Sequence, residues 1–407
     1  MLEDHAAFES IGEFVALMGV HAMFPDPLPV TIPANWSKTD RTAKLIRDSF
    51  AKIEPSAGEL TQFFYGVLFT VSPAARALFP ANMNTQRDRL LRALVHVVGL
   101  VDQPDQLVPF LHQLGRDHRK FDVVAQHYDA VGVALLAALK RYLKDDWTAD
   151  VERAWTDAYG IIAKSMREAA ETEKGPAWWP ARVIEHRRPN SSVAVIRALP
   201  RHPVPFRAGQ YLSVQVPQRP RMWRYFSPAT APRTDGVLEF HVRAVDGGWV
   251  SRSMVNHTKI GDEWRIGPAL GTLAVRQADK RKLLLIAGGT GLAPLRAIAD
   301  DLARWKQNPA VHLFFGGRTA EDLYDLPTLK MLAATNPWLT VAPVVEEGEV
   351  KGGEQGTLVD AVLKRGTWPK TDVLISGSPT MIRATMMRLM EEGIPADRIK
   401  YDQFTID

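Results

Sequence analysis

The sequence predicts a multidomain fold in which an all-α domain precedes an antiparallel β-barrel and then a doubly wound α/β domain. Three successive patterns in the 407 residues support this prediction. Apolar residues recur with helical spacing over residues 40–176, and short alternating segments punctuated by proline follow over residues 177–279. Strand-like and helical segments then alternate over residues 280–407. A chain of this length exceeds one ordinary hydrophobic core, which agrees with several domains.

The first of these domains is predicted to be entirely helical. Residues 1–39 precede it as an extension, because the proline-rich segment Met23–Pro29 cannot form a continuous helix. Helices are predicted from the N-cap Asp40 to before Pro55, at Leu60–Thr70, from Asn84 with an apolar stripe that reaches Val101, and at Leu107–Asp117, Ala125–Leu143 and Asp150–Glu173. Helices joined by such short connections form a domain large enough to enclose one haem.

The two following domains differ in how their strands are connected. Period-two strands are predicted at Ser192–Ala198, Tyr211–Val216 and Leu238–Val245, as in a small barrel. The last domain has strands at Leu283–Ala287, Val311–Phe315, Leu339–Val345 and Val373–Ser376, with helices at Pro294–Lys306, Pro327–Ala334, Val359–Lys364 and Thr380–Glu392. This alternation of strand and helix predicts a parallel sheet covered on both faces.

The composition excludes several classes of protein and site. There is no cysteine, so disulfides, thiolate-bound metals and iron–sulfur clusters are excluded. The formal charge of +4 arises from 50 basic and 46 acidic residues without a long basic run, which argues against nucleic-acid binding. The N-terminus lacks a basic region followed by an apolar core, and no apolar run reaches the roughly 18–20 residues that cross a bilayer. We therefore expect a cytoplasmic protein without a membrane span.

A glycine-rich turn follows the first strand of the last domain. The run Leu283–Ile286 leads into Gly288–Pro294, whose sequence is GGTGLAP. Glycines allow the backbone to approach a pyrophosphate, and proline suits the first turn of the helix whose amides face it. The spacing differs from the Rossmann fingerprint, so the turn alone is weak support for a dinucleotide site.

The barrel carries two further candidates for anion binding. Arg224–Ser227 combines a guanidinium with aromatic rings and a hydroxyl, and the forked donors of arginine match the oxygens of a diphosphate. Gly247–Ser251 is a second turn whose backbone amides and hydroxyl could hold phosphate oxygens. Either segment alone is a common turn, but the two in this order indicate a flavin diphosphate site.

In the helical domain, His118 is the best candidate ligand for iron, because the chain has no cysteine. A single histidine at a polar helix end is usually a surface residue. The assignment depends on other residues at fixed spacings from it, namely Tyr65, Phe79, Gln86 and Tyr128, through the family resemblance that they carry.

Taken together, these motifs resemble the flavohaemoglobins, in which a globin domain is fused to a reductase with FAD-binding and NAD(P)-binding domains. The resemblance covers roughly residues 40–407. It implies haem b, FAD and NADH or NADPH as cofactors, with a haem domain at 40–176, an FAD domain at 177–279 and an NAD(P) domain at 280–407. It also implies O₂ and NO as small-molecule partners and a monomer, and lipid in the distal pocket is an open possibility.

The resemblance assigns roles to individual residues. Tyr65 and Gln86 correspond to the distal residues, Phe79 to the aromatic wedge, His118 to the proximal iron ligand and Tyr128 to its hydrogen-bonding tyrosine. The positions implied for FAD and the nicotinamide dinucleotide are Tyr211, Arg224, Tyr225, Phe226, Ser227, Gly248, Trp249, Val250, Ser251, Gly289, Thr290, Gly291, Leu292, Ala293, Pro294, Gly377, Ser378, Pro379 and Phe404. Arg318 could accept a 2′-phosphate, so the preference between NADH and NADPH stays open.

Several positions depart from the family pattern. Phe226 replaces a tyrosine of the flavin motif, and Ser376 replaces the cysteine beside the nicotinamide. Asp117 stands where the family has a lysine before the proximal histidine, which predicts an anion near the haem. Ala170 stands where the family has a glutamate that completes a His–Tyr–Glu relay, and Glu168 and Glu171 are both candidates to replace it.

The resemblance implies that electrons pass from NAD(P)H through FAD to haem, and that bound O₂ oxidises nitric oxide to nitrate. Two alternative functions remain open, because Asp117 and Ala170 differ from the family residues at their positions. One is a haem–flavin oxidoreductase with another donor or acceptor, and the other is a globin-based gas or redox sensor.

Overall fold

A computed structural model describes residues 39–275 and 281–402. The chain separates into two compact units, with the boundary between Ala177 and Trp178. The predicted extension lies outside the described residues except for its last position, and so does Phe404.

The first unit is helical throughout its described length, as predicted. Its helices are α1 (Thr39–Ile53), α2 (Ala57–Val71), α3 (Asn84–Gly99), α4 (Pro104–His118), α5 (Ala125–Leu143) and α6 (Ala149–Thr172). A 3₁₀ turn at Arg119–Phe121 extends α4. Thr148 caps α6, because its side chain accepts a hydrogen bond from the amide of Val151.

Long-range contacts close the helical unit around its core. Trp155 Nε1 donates to Ser49 Oγ across 3.0 Å, which joins α6 to α1. Helices α4 and α6 approach so closely that a Cβ atom on Gly115 would overlap the backbone of Met166. This approach requires glycine at position 115, and it brings the end of α4 beside α6.

The second unit begins with an antiparallel sheet that curls around a core of its own. Its strands are β1 (Trp179–Arg187), β2 (Val193–Pro200), β3 (Tyr211–Gln215), β4 (Arg224–Phe226), β5 (Leu238–Arg243) and β6 (Glu263–Leu270), in the order β4-β3-β6-β1-β2-β5. Helix α7 (Trp249–His257) packs against β5. Trp264 and Phe240 are fully buried in the core.

A parallel sheet with helices on both faces completes this unit. Its strands are β7 (Lys282–Gly288), β8 (Val311–Gly317), β9 (Leu339–Val345), β10 (Glu354–Gln355), β11 (Thr371–Ser376) and β12 (Ile399–Tyr401), in the order β10-β9-β8-β7-β11-β12. The helices are α8 (Leu292–Leu302), α9 (Leu326–Thr335), α10 (Leu358–Lys364) and α11 (Pro379–Glu391). Leu283 and Leu285 pack into one core while Leu284 and Ile286 pack into another, as expected for a central parallel strand.

The predicted fold class is therefore confirmed, with differences at element ends. The helix predicted at Pro294–Lys306 begins earlier, at Leu292, and ends at Leu302. The three-residue strand β4 was not predicted, because an element that short has no recognisable periodicity. Over the described ranges, no single helix has the length and apolarity to cross a membrane, although the pair Pro104–Phe121 and Ala125–Asp146, bent by 115°, meets those criteria together.

Candidate functional site

In the helical unit, Tyr65 and Gln86 come together at one point between α2 and α3. The Tyr65 hydroxyl donates to the backbone carbonyl of Gln86 across 3.4 Å. Phe79 packs edge-on against Tyr65, with 5.5 Å between ring centroids. Burial raises the pKa of Tyr65, so its phenol is neutral at physiological pH and keeps its proton. The structure thus brings together Tyr65 and Gln86, predicted as the distal residues, and Phe79, predicted as the aromatic wedge.

His118 lies at the end of α4 with its two ring nitrogens in different environments. Its Nδ1 lies 2.7 Å from the backbone carbonyl oxygen of Leu114. A carbonyl can only accept, so Nδ1 carries the proton and Nε2 keeps its lone pair. Burial lowers the pKa of His118, which keeps the ring neutral. A neutral imidazole with an available Nε2 is the form that binds haem iron, so this residue fits a haem ligand.

Asp117 forms a buried ion pair rather than an isolated anion. Its carboxylate lies 2.6 Å from Lys120 Nζ, and the two side chains are only 14% and 1% exposed, respectively. The ammonium group also lies 5.2 Å from the ring centroid of Phe121, which itself packs edge-on against His118. The predicted anion beside His118 is therefore paired, because Lys120, three residues later, places a positive charge next to it.

Replacing Lys120 with methionine should destabilise the helical unit, because it leaves the Asp117 carboxylate buried without its partner. Breaking a buried ion pair from one side costs about 3–5 kcal/mol. Urea unfolding of the full-length protein, followed by the helical signal in circular dichroism, measures the change. The control is the double variant Lys120→Met/Asp117→Asn, which removes both charges and should recover most of the stability. Equal losses in the free energy of unfolding of the single and double variants would mean that the broken ion pair does not cause the destabilisation.

Tyr128 is buried, but its surroundings differ from the predicted arrangement. The proton on Nδ1 of His118 goes to Leu114 instead of to a tyrosine. Burial raises the pKa of Tyr128, and the charged groups that also act on it are Arg167 and Glu171 of α6. Glu168 instead lies 3.8 Å from Lys164 on the exposed side of that helix. The electrostatic influence of Glu171 on the pKa of Tyr128 favours it over Glu168 for the place of the family glutamate.

The second unit contains a cavity of about 530 Å³ between the antiparallel and parallel sheets. Fifteen of the residues predicted for FAD and the dinucleotide line it: Arg224, Tyr225, Phe226, Ser227, Gly248, Val250, Ser251, Gly289, Thr290, Gly291, Ala293, Pro294, Gly377, Ser378 and Pro379. They come from four separate turns, so the fold unites motifs that lie up to 155 residues apart in sequence.

The barrel side of this cavity has the donors that a flavin diphosphate needs. Arg224 and Ser227 lie at the two ends of β4, and both line the cavity. The Ser227 hydroxyl is buried and has no hydrogen-bond partner among the described residues. Buried hydroxyls are normally satisfied, so this hydroxyl fits a site where a bound group would be its partner. The N-terminus of α7 opens onto the same cavity through Gly248 and Ser251, where a negative charge is favoured.

The opposite side is formed by the glycine-rich turn between β7 and α8. Gly289 has a φ of +55°, a left-handed conformation that favours glycine. A Cβ atom on Gly291 would overlap the backbone of Ser376, so the turn must lie against the end of β11. Ser378 caps α11, because its hydroxyl accepts from the amide of Met381 across 3.2 Å. Helices α8 and α11 therefore both begin at the cavity.

The sequence interpretation missed several residues that line this cavity. They include His241, Arg243 and Glu346, and Arg318, which had been considered only for a 2′-phosphate, lines it as well. Arg243 is the most informative, because its Nη1 lies 3.7 Å from the point that a Cβ atom on Gly289 would occupy. The available signal was its place at the end of a strand directly before the Gly247–Ser251 turn.

Three predicted cofactor residues lie elsewhere. Leu292 is fully buried in the core between the sheet and α8, so its side chain packs rather than binds. Trp249 is 64% exposed, and Arg219 lies over its ring. Tyr211 packs edge-on against Tyr225, with 5.1 Å between ring centroids, and so supports the cavity wall.

Family models match three successive parts of the chain. Residues 62–166 match the globin family, 181–274 match the oxidoreductase FAD-binding domain and 285–386 match the oxidoreductase NAD-binding domain. These ranges coincide with the helical unit, the antiparallel sheet and the parallel sheet.

Individual proteins agree with this division. The flavohemoprotein of Bacillus subtilis is 26% identical over 387 residues, covering 90% of this chain and 97% of that protein. A ferredoxin–NAD(P)⁺ reductase component of the naphthalene 1,2-dioxygenase system of Pseudomonas putida is 31% identical over 232 residues, covering 55% of this chain and 70% of that protein. The crystal structure of flavohemoglobin from Malassezia yamatoensis has the same fold, with a TM-score of 0.75 and 18% sequence identity. The match covers 90% of this chain and 99% of that chain. The chain therefore has the domain architecture of the flavohaemoproteins, in which a globin domain is followed by FAD-binding and NAD-binding reductase domains.

Proposed function

We propose that this protein is an NAD(P)H-dependent nitric oxide dioxygenase that binds haem, FAD and a nicotinamide dinucleotide. The reductase part of this proposal is supported by the shared cavity, where a flavin motif and a dinucleotide turn face each other. The globin part is supported by the neutral His118 imidazole and by the pairing of Tyr65 with Gln86. The overall reaction is balanced when two NO, two O₂ and one NADH give two nitrate ions, NAD⁺ and one proton.

The bound cofactors would supply hydride acceptance, one-electron transfer and O₂ binding, and the protein's residues hold and orient them. In the helical unit, Nε2 of His118 would bind the iron, and the Leu114 carbonyl would hold the ring in the required tautomer. The single O–H of Tyr65 is donated to the Gln86 backbone carbonyl in this structure, so it would have to turn from that carbonyl to donate to bound O₂. Phe79 packs against Tyr65 and limits its rotation.

In the reductase unit, charged side chains and helix ends hold the phosphates. Arg224 and Arg243 lie on the barrel side, where forked guanidinium donors match diphosphate oxygens. The turn at Gly289–Gly291 and the start of α8 provide backbone amides for the second dinucleotide. The unpartnered Ser227 hydroxyl would donate to the flavin edge.

The direct test of this function is NADH oxidation by the full-length protein loaded with haem and FAD. Oxidation should depend on both NO and O₂, and nitrate should form at two molecules per NADH. A gas sensor would show no sustained turnover. The identity to a ferredoxin reductase component favours a second candidate, transfer to an external acceptor. Rapid reduction of a ferredoxin together with slow NO-dependent turnover would select that alternative.

We further propose that NADH is preferred over NADPH. Arg318 lines the cavity at the end of β8, but its Nε donates to Glu347 across 3.0 Å. Glu346, at the end of β9, adds a second carboxylate to the same part of the cavity wall. A 2′-phosphate would meet an arginine that is already paired and two negative charges. A ribose hydroxyl carries no such penalty and can donate to a carboxylate.

The variant Glu347→Gln should therefore improve the use of NADPH. Releasing Arg318 from an exposed pair corresponds to roughly 1 kcal/mol, or about a fivefold gain in kcat/KM for NADPH. Reduction of ferricyanide measures this without involving the haem. The matched control is Glu349→Gln, an exposed glutamate of the same segment that should leave both cofactors unchanged. A wild-type protein that already prefers NADPH would contradict the assignment.

A further inference from the structure

A buried cluster of charged side chains lies beside the cavity of the reductase unit, and the proposed function has not used it. On β5, Glu239 and His241 project away from the barrel core, because alternate residues of a strand face opposite sides. Leu238, Phe240 and Val242 face the core. The side chains of Glu239 and His241 are only 4% and 1% exposed.

Arg296 of α8 connects these residues. Its Nη1 lies 2.6 Å from Glu239 Oε1 and 3.1 Å from His241 Nε2. Its Nε lies 3.2 Å from Asp325 Oδ2, whose side chain is 6% exposed. The His241 ring continues the network through Nδ1, which lies 2.9 Å from the Tyr324 hydroxyl.

The charges within the cluster balance. Glu239 and Asp325 carry two negative charges, and Arg296 provides one positive charge. Arg197 of β2 provides the other, because its Nε lies 2.6 Å from Glu239 Oε2, and it extends the network to the surface through Glu185, 3.1 Å from its Nη1. Apolar residues of similar volume often replace such buried pairs without loss of stability, so stability alone does not explain the cluster.

The position of the cluster indicates its role. Glu239 and His241 belong to the strand that ends at Arg243 on the flavin side of the cavity. Arg296 lies two residues after Pro294, in the first turns of the helix that follows the dinucleotide turn. The cluster therefore joins the two walls of the cavity directly behind their binding residues.

We propose that Arg296, held by Glu239, His241 and Asp325, is a positioning residue that sets how the dinucleotide turn faces the flavin site. This inference rests on the proposed function, because it assumes hydride transfer from NADH to FAD across the cavity. Hydride transfer requires close approach of the reacting atoms, and a displacement near 1 Å can cost about 100-fold in rate. The cluster touches neither reacting atom and acts only through the two walls.

The test is Arg296→Lys in the full-length protein loaded with haem and FAD. Lysine keeps the charge but cannot contact Glu239 and Asp325 with the fixed fork of a guanidinium. We expect the rate constant of flavin reduction at saturating NADH, measured anaerobically by stopped flow, to fall about 10- to 100-fold. FAD content and the Kd for NADH should stay within about twofold of the wild-type values, because the residues that bind phosphates are unchanged.

A readout without catalysis accompanies the kinetics. In the protein freed of FAD, amide hydrogen exchange over residues 288–295 should be faster in Arg296→Lys than in the wild type, since α8 loses its attachment to β5. The control is Arg304→Gln, which removes another contact between the same two sheets. Arg304 Nη1 donates to the Pro232 carbonyl across 2.6 Å, beyond the other end of α8. This control should leave both the exchange and the flavin reduction unchanged.

The outcomes separate the alternatives. A wild-type reduction rate in an Arg296→Lys protein with normal FAD content would overturn the proposal. If Arg296→Lys does not bind FAD, the same rate is measured in Tyr324→Phe, which removes only the hydroxyl next to His241. Slower flavin reduction with normal NADH binding in Tyr324→Phe would support positioning, and an unchanged rate would refute it. A wild-type protein whose flavin NADH does not reduce would instead refute the proposed function.

Discussion

His118→Ala should abolish the Soret band of the haem while leaving the flavin absorption in place. Nε2 of this residue is the proposed ligand of the haem iron, and its tautomer is set by the 2.7 Å contact of Nδ1 with the Leu114 carbonyl. Loss of the single protein ligand removes the strongest bond between the protein and the haem. The flavin binds in the other unit, so its occupancy should not change. An absorption spectrum of the purified variant, recorded before and after NADH addition, measures both cofactors.

The matched control is His112→Ala on the same helix, whose ring lies near Arg116 and Glu168 of the outer surface. That variant should keep a normal haem spectrum. Added imidazole should restore part of the Soret band in His118→Ala by occupying the vacated ligand position. A His118→Ala protein with unchanged haem content and spectrum would show that another residue binds the iron.

Arg224→Ala should weaken the binding of FAD. A charge-assisted hydrogen bond to a buried diphosphate contributes about 1.5–3 kcal/mol, which corresponds to roughly a 10- to 150-fold increase in Kd. Titration of the flavin-free protein with FAD, followed by flavin fluorescence quenching, measures this change. The haem spectrum should remain normal, which separates a local effect from misfolding.

A suitable control for this variant is Arg233→Ala, an arginine of the same sheet region that pairs with Asp235 in an exposed turn. Its loss should leave FAD affinity within about twofold of the wild type, since exposed ion pairs contribute little. Full occupancy of Arg224→Ala at sub-micromolar FAD would argue against the assigned diphosphate site.

Local motifs could be predicted from the sequence wherever the chemistry depends on neighbouring residues. The apolar run Leu283–Ile286 predicted a central parallel strand, because burial on both faces leaves no polar alternation. The Arg224–Ser227 and Gly289–Gly291 segments each contain their own turn, and both reach the cavity. Such signals depend on backbone conformation, which a few adjacent residues specify.

Contacts between distant residues could not be predicted in this way. The partner of the predicted Asp117 anion was not foreseen even though Lys120 is only three residues away, because spacing on a helix does not reveal burial. The Arg296 cluster joins residues from β2, β5, α8 and the start of α9, and none of them belongs to a recognisable motif. Glu171 could not be distinguished from Glu168 until α6 had a defined orientation.

The sequence by itself determined the order of the three domains, the exclusion of cysteine-based chemistry and the residues expected at each cofactor. The domain order and the exclusion follow from periodicity and composition, which are local properties of the chain, and the cofactor residues follow from the family resemblance of its motifs. Only the tertiary structure decided which charges are paired, which nitrogen of His118 carries the proton and which side chains line the cavity. Those properties depend on burial and on distances between residues far apart in sequence, and only the packed fold sets the local polarity and the partners on which ionisation and hydrogen bonding depend.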